Sequence, residues 1–455
     1  MRNAMAESVS TSPAPFCPQA LVYKDRQESP KVQTLTHATD DAGASSTHKS
    51  LIPGGFKIKY VDESESQGDY ITDDVGLSGD NTIKGLQMGM ARKSTVGVGI
   101  MGIGYTENEA ADVMYPNIID EMVDQGLIAT KAYSLYLDTQ DATHGEILFG
   151  GLDAKKFIGQ LTTLPLQARR NAGIDSFTVA MTGLSIGPKD NPDPLTSSNF
   201  AIATLLDSGT TLTYLPDALV ANLIKIMGAY DDIEENGSIW VDCSLPETYP
   251  DYVLAYQFGG KDGPVINVPL KEVIFDIPDA YQEYFNLPWK TTCYLGIMPS
   301  GSDTHYLLGD SFLRSAYVVY DIDNNELSIA NTNFEATEEE IIEITKGSTI
   351  PQATGVASQV TVTADEERIG GIGERTSALT GKITATGSSR PVLIGGGARA
   401  TTDASGSEAT AEGADQAEGS PDAGGRLTPG GSFGVWSLVT VWGAFAVLGG
   451  AAVLA

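Results

Sequence analysis

Positive charge is what this chain has least of. Its 455 residues carry 28 Lys and Arg against 59 Asp and Glu, for a formal net charge of −31. With no basic patch to neutralise phosphates, nucleic acid is excluded as a partner. Such an acidic chain suits low pH, where carboxylates partly protonate and self-repulsion falls. Cysteine is scarce too: there are three, Cys17, Cys243 and Cys293. An odd number leaves a free thiol or a thiol parted from its partner. The four histidines are scattered without zinc-ligand spacing, so no metal and no cofactor is expected. The run Gly97-Val98-Gly99-Ile100-Met101-Gly102 has the letters of a dinucleotide fingerprint. No helix pattern follows it and no strand–helix–strand unit surrounds it, so it reads as strand and corner glycines. The opening residues, Met1 to Glu7, have no apolar core and do not form a signal peptide. A long uncharged hydrophobic run occurs only at Phe433–Ala455, where it is long enough to cross a bilayer.

What is present is mostly strand. A chain of this length holds two to three domains. Residues 1–50 are polar and weakly patterned. From Phe56 the chain alternates, with Phe56, Ile58 and Tyr60 on one face, a polar turn from Asp62 to Gly68, and a return strand at Tyr70-Ile71. That is a β-hairpin with a long tip. After Pro116, the residues Ile118, Ile119, Met122 and Val123 share a helical face, and Gly126 caps it. Strands resume at Tyr133–Leu137 and Glu146–Gly151. Pro216-Asp217 starts a second helix with Leu219, Leu223 and Ile226 on one face. Strands then dominate to about Ala330. Beyond residue 336 an acidic run gives way to Ser, Thr, Ala and Gly with almost no aromatics. This composition predicts a disordered stalk, with the folded part ending near residue 335.

One segment carries chemistry: Leu205-Leu206-Asp207-Ser208-Gly209-Thr210-Thr211. The apolar pair reads as a buried strand end. Gly209 lets the backbone turn sharply, and the hydroxyls of Ser208, Thr210 and Thr211 can orient a carboxylate. That is how a loop presents an aspartate at a cleft floor. The plainer reading, an ordinary turn aspartate, is available to any Asp-Ser-Gly. Activating water with aspartates takes two of them sharing one proton, since like charges so close cannot both ionise. The chain shows one such segment.

Six segments, in order, resemble a pepsin-type aspartic protease, and among those the fungal candidapepsin-like and yapsin-like enzymes. They are Phe56–Tyr60 with its polar tip; Gly99–Tyr105; Ala132–Leu137; Ile147–Asp153; the Asp207 segment; and Leu307–Tyr317. The resemblance implies a mostly β, bilobal pepsin-like fold with an incomplete N-terminal lobe. Residues 1–50 would be a remnant of that lobe, 51–165 its flap and following strands, 166–335 the C-terminal lobe, 336–430 the stalk and 431–455 a hydrophobic tail. Asp207 resembles the second catalytic aspartate, with Ser208, Gly209, Thr210 and Thr211 as its supporting loop. Thr210 resembles the hydroxyl of a cross-lobe hydrogen-bond grip. Tyr60 resembles the flap tyrosine and, with Asp62, would touch substrate. Gly102 and Gly309 resemble the corners through which the catalytic loops thread. Cys243 and Cys293 resemble a disulfide pair.

The departures set further expectations. The first Asp-Thr-Gly is absent, Asp41-Ala42-Gly43 lacks a preceding apolar strand, Cys17 has no partner, and Glu63 stands where the family has Gly. The sequence reading is therefore an aspartic-type endopeptidase, N-terminally incomplete and inactive as written. The alternative is a catalytically dead cell-surface protein that binds peptides or serves a structural role. The expected partners are peptide or protein substrates. The expected molecule is a monomer of the secretory pathway, cell surface or cell wall. It would be held to the membrane by a lipid anchor, attached near Ser420, Asp422 or Gly424, or by the hydrophobic tail itself.

Overall fold

A computed structural model describes residues 5–8, 33–34, 45–60, 64–77, 81–96, 99–142, 145–170, 172–283, 285–301, 306–364 and 371–372. Asp62, Glu63, Cys17, Asp41 and everything from residue 373 on, including the hydrophobic tail and its candidate attachment sites, lie outside the described residues. Among the described residues no helix is long and apolar enough to cross a membrane.

Two sheets organise the molecule. The first has seven strands in the order Met5–Ser8, Glu146–Phe149, Ala132–Tyr136, Ala316–Asp321, Glu326–Thr332, Phe157–Pro165 and Ala353–Gly355. It interleaves strands that are nearly two hundred residues apart in sequence: Leu135 lies opposite Val318, and Tyr133 opposite Tyr320. Its central strands, Ala132–Tyr136 and Ala316–Asp321, are buried along their whole length, which is why apolar residues fall on both of their faces instead of at alternate positions. The second sheet runs Val265–Pro269, Tyr252–Phe258, Thr178–Pro188, Ile202–Leu206, Tyr306–Leu308, Thr213–Leu215 and Ile297–Pro299. Here Ile202–Leu206 lies parallel to Tyr306–Leu308, with Leu206 beside Leu308. The Asp207 loop springs from the end of this parallel pair.

The hairpin read from the alternation is present, but its return strand begins at Glu65, so the long polar turn expected up to Gly68 and the strand start expected at Tyr70 are corrected: Glu65 to Gly68 already pair in the ladder. Lys49–Lys59 pairs antiparallel with Glu65–Gly76, setting Phe56 against Gly68 and Ile58 against Ser66, and the Tyr60 N–H donates to the Ser64 carbonyl at 2.8 Å. Phe56, Ile58 and Tyr60 are half-buried while Lys57 and Lys59 are exposed, as period two requires. The third strand, Thr82–Ser94, keeps a glycine at residue 89 for the Phe56 ring, which a Cβ there would approach to 2.4 Å. Both expected helices form. Ile118–Asp124 starts from a capping box in which Asn117 accepts from the amides of Ile119 and Asp120 while Asp120 accepts from Asn117. Gly126 follows its end at φ 71°. Asp217–Met227 buries Leu219, Leu223 and Ile226 and stops at a left-handed Gly228. Cys243 and Cys293 are joined in a disulfide across neighbouring strands, 5.0 Å apart at Cα.

The chain beyond residue 335 departs from expectation. In place of a solvated stalk, residues 336–364 form a strap over the fold. Ile341–Glu343 pairs antiparallel with Gly151–Asp153. Ile344 and Ile350 are buried against Leu152, Leu161, Tyr317 and Val319. Ala353–Gly355 lies parallel to Leu161–Thr163. Farther on, the amides of Val360, Val362 and Ala364 donate to Gly259, the Gln167 side chain and Ala168. Composition averaged over 336–430 hid this, because a few well-placed isoleucines and backbone pairing suffice to hold some thirty residues. The stretch 373–430 lies outside the described residues.

Candidate active site

Asp207 ends the strand Ile202–Leu206, and its own N–H donates to the Leu308 carbonyl at 3.1 Å, which ties the loop to the neighbouring parallel strand. The side chain is fully buried, at 0% exposure. Both carboxylate oxygens are held from within the loop. The Gly209 N–H donates to Oδ1 at 2.9 Å, and the Thr210 hydroxyl donates to Oδ2 at 2.6 Å. Two donors, one on each oxygen, fix the orientation of the carboxylate. The turn is closed by the Thr210 N–H on the Asp207 carbonyl at 3.2 Å.

That geometry revises one expectation. The Thr210 hydroxyl was read as a cross-lobe grip, yet it bonds to the carboxylate of its own loop. The turn at Gly209 folds residue 210 back over residue 207, so the hydroxyl meets Oδ2 before it can reach another lobe. Ser208 and Thr211 are buried in the same loop. Tyr60 sits at the base of the hairpin tip, half-buried, and Asp62 lies outside the described residues.

The loop is clasped by the segment after Gly309. The amides of Asp310 and Ser311 donate to the carbonyls of Thr210 (2.7 Å) and Thr211 (3.1 Å). A Cβ on residue 309 would lie 2.2 Å from the Thr210 carbonyl oxygen and 2.3 Å from that of Leu212, so only glycine fits. Gly102, read as the companion corner, differs: a Cβ there meets nothing within 4 Å. The Ser311 hydroxyl lies within hydrogen-bond distance of Thr213 Oγ1 (2.9 Å) and the Gly296 carbonyl (2.8 Å), pinning the far side of the loop.

Several groups around the loop were not anticipated. Asp310 is buried, and desolvation, aided by the Asp207 charge and opposed by Arg314, pushes its carboxyl up to about 7. Tyr320 stacks on Tyr133 with centroids 4.8 Å apart, and Phe177 stands edge-on to Tyr320 at 4.6 Å. Burial raises the Tyr320 hydroxyl, and Asp207 and Asp310 raise it further. Asp310 directly follows the corner glycine, and that position was its one available signal. Among the described residues Cys243, Asp276 and Cys293 cluster closely enough to suggest a metal. The disulfide consumes both thiolates, and a thiolate is the ligand a cysteine offers.

Comparison with known proteins places this geometry in a family. The family model described as eukaryotic aspartyl protease matches residues 22–332. The chain is 40% identical over 354 residues to a probable aspartic-type endopeptidase, opsB, of Aspergillus fumigatus, covering 76% of this chain and 69% of that one. It is 37% identical over 290 residues to an acid protease of Saccharomycopsis fibuligera, covering 62% and 68%. It is 33% identical over 293 residues to candidapepsin-3 of Candida albicans, covering 64% and 66%. Its fold is similar to that of an aspartic proteinase from Irpex lacteus, with a TM-score of 0.50 at 22% identity, covering 65% of this chain and 86% of that one. With a mostly β pepsin-like fold and a family match over two thirds of its length, the chain belongs to the eukaryotic aspartyl protease family.

Proposed function

We propose that Asp207 supplies one of the two carboxylates with which this aspartic endopeptidase activates water. The observation that carries the reading is the Asp207 carboxylate itself, fully buried at a strand end and held on both oxygens by Gly209 and Thr210. In this reaction one carboxylate, ionised, takes a proton from a bound water, while the other, protonated, polarises the scissile carbonyl. Attack of the water on that carbonyl needs no covalent enzyme intermediate. The donors on Asp207 fix the direction of its carboxylate, and the aromatic plate of Tyr133, Phe177 and Tyr320 keeps solvent from that side. A second carboxylate faces Asp207 across the cleft in this reading, and the described residues supply the Asp207 half. Tyr60, at the hairpin tip, closes over the bound peptide.

Substrates are peptides or unfolded proteins in an acidic setting. The disulfide and the net charge support a secretory-pathway or cell-surface location, because disulfides persist in oxidising compartments. The relatives are named as an aspartic-type endopeptidase and an acid protease, which disfavours the alternative of a binding-only protein. The test is cleavage of an acid-denatured protein by the purified full chain. With the Asp207 half alone the chain is expected to show little or no turnover; turnover that Asp207→Asn abolishes would show that a second carboxylate completes the pair, and turnover that survives the substitution would remove Asp207 from the mechanism. Tight binding, without any cleavage, of a peptide bearing a hydroxyethylene in place of the scissile amide would restore the binding-only alternative.

A further inference from the structure

One short sequence far from Asp207 in the chain has no part in that reaction. Asn236-Gly237-Ser238 is the only Asn-X-Ser/Thr in the 455 residues, and such a sequence is the acceptor for N-linked sugar in secreted proteins. It lies where the strand Tyr230–Asp232 turns back into Ser238–Asp242, the two pairing antiparallel with Asp232 opposite Ser238. The single turn Ile233–Asn236 fills the connection. Gly237, at φ 66°, closes it with its N–H on the Ile233 carbonyl at 2.9 Å. Glu234 and Glu235 are exposed and Asn236 is half-buried. A Cβ on residue 237 would meet nothing within 4 Å, so the turn opens outward. Tyr230–Asp232 is also the outer strand of its sheet, followed by Ser238–Asp242, Thr292–Leu295 and Ile274–Asp276. A group leaving this turn meets no further strand of that sheet among the described residues.

The Asn236 side chain has a fixed direction. Its Nδ2 donates to Asp232 Oδ2 at 2.6 Å, and the same oxygen accepts the Trp240 indole N–H at 3.0 Å. Asp232 and Trp240 are both buried. An amide nitrogen carries two hydrogens, and Asp232 uses one of them. A sugar in place of the other leaves the Asp232 bond intact, so the folded turn can carry it. Ser238 stands differently. It is fully buried, and its hydroxyl donates to the Asn236 carbonyl at 3.2 Å. An enzyme that reads this hydroxyl reaches it only before the two strands close. The strand that starts at Ser238 leads directly to Cys243, and the disulfide from Cys243 to Cys293 persists in the same oxidising compartment. Two marks of that compartment thus stand at the two ends of one strand.

We propose that Asn236 is an N-glycosylation site, modified before the hairpin around it folds. The donor is an oligosaccharide carried on a lipid pyrophosphate. Asn236 Nδ2 forms a bond to C1 of the first sugar and gives up one proton. The bond from C1 to the pyrophosphate oxygen breaks, and the lipid pyrophosphate leaves with its electron pair. The proposal rests on the secretory-pathway location proposed above and is independent of the role of Asp207.

The test is mass spectrometry of the full chain made in a fungal host behind a cleavable secretion leader. Enzymatic release of N-linked sugar hydrolyses the glycosylated side chain and leaves Asp at position 236. The peptide spanning that position is expected to read Asp after release. Ser238→Ala removes the acceptor sequence and keeps the Asn236–Asp232 bond, and its peptide should read Asn. Ser238→Thr should restore the sugar. A secreted, disulfide-bonded chain whose peptide still reads Asn after release overturns the proposal. Should Ser238→Ala fail to fold, the peptide from the unsubstituted chain decides alone. The order of events has its own test: the folded, sugar-free chain made in bacteria should accept no sugar from microsomes, and transfer to it overturns modification before folding. Because the leader supplies entry to the pathway, these results speak to the site. Free thiols at Cys243 and Cys293 in the chain made without the leader would fail the location alone.

Discussion

Replacing Asp310 with Asn tests the electrostatics of the site through folding stability alone. The folded carboxyl holds its proton up to about pH 7, against an ordinary value of 3.8, chiefly because burial penalises its charge. The sign follows from proton counting. Below about pH 4 both folded and unfolded chains carry the proton, and the group costs nothing. Between about pH 4 and 7 the unfolded chain has released its proton while the folded chain retains it, so stability falls as pH rises. Above about 7 the folded carboxylate is ionised, and the full penalty is in place. At about 1.4 kcal/mol per pH unit, the shift amounts to roughly 4 kcal/mol across the window. That is a large part of the ~5–15 kcal/mol that holds a typical domain. Asn has nearly the same shape and no proton to lose. The assay is urea unfolding of the full chain and of Asp310→Asn over that pH range, taking the difference at each pH so that other raised carboxyls such as Glu109 and Glu146 cancel. The two proteins should be similar at the acid end, and the Asn variant should gain progressively toward neutrality. Parallel stability curves would refute the reasoning, since they would mean Asp310 titrates alike in both states.

Further consequences are testable more briefly. Thr210→Val removes the 2.6 Å hydrogen bond to the Asp207 carboxylate and keeps the shape, and is expected to cost about 1.5–3 kcal/mol in urea unfolding, with no loss meaning that the bond adds nothing to the loop. Gly309→Ala forces a methyl against the Thr210 and Leu212 carbonyls and should destabilise by about 1–3 kcal/mol in urea unfolding, or more where the loop cannot shift. Ending the chain after residue 335 strips Ile344 and Ile350 from the sheet face at Leu152, Leu161, Tyr317 and Val319. It should cost about 3–6 kcal/mol from those two side chains and promote association, seen as a lower urea midpoint and a larger species in gel filtration.

What could be read from the sequence was what is local, and the rest required packing. The Asp207 loop was legible because its cause lies within about five residues: an apolar strand end, a glycine that turns the chain, and hydroxyls close enough to return to the carboxylate. Phe56, Ile58 and Tyr60 were legible because alternate residues of a strand share a face whatever the fold, and both helices because their caps and apolar spacing are written along a dozen residues. The direction of the Thr210 hydroxyl was not legible, since a residue type says what can bond but only the path of the turn says with what. Glu272, Asp310 and Arg314 were hidden for a deeper reason. A charged residue taken singly reads as solvent-exposed, and only the fold shows all three to be buried. The strap was hidden by averaging: Ile344 and Ile350 are two residues in a polar stretch, and their value depends on an apolar face that joins Leu152 and Leu161, far upstream, to Tyr317 and Val319 nearby. In each hidden case one side chain is placed by its neighbours' burial, so the most informative substitutions are those that keep shape and remove charge or a hydroxyl. They alter the chemistry at Asp207 while leaving the packing that put those groups there.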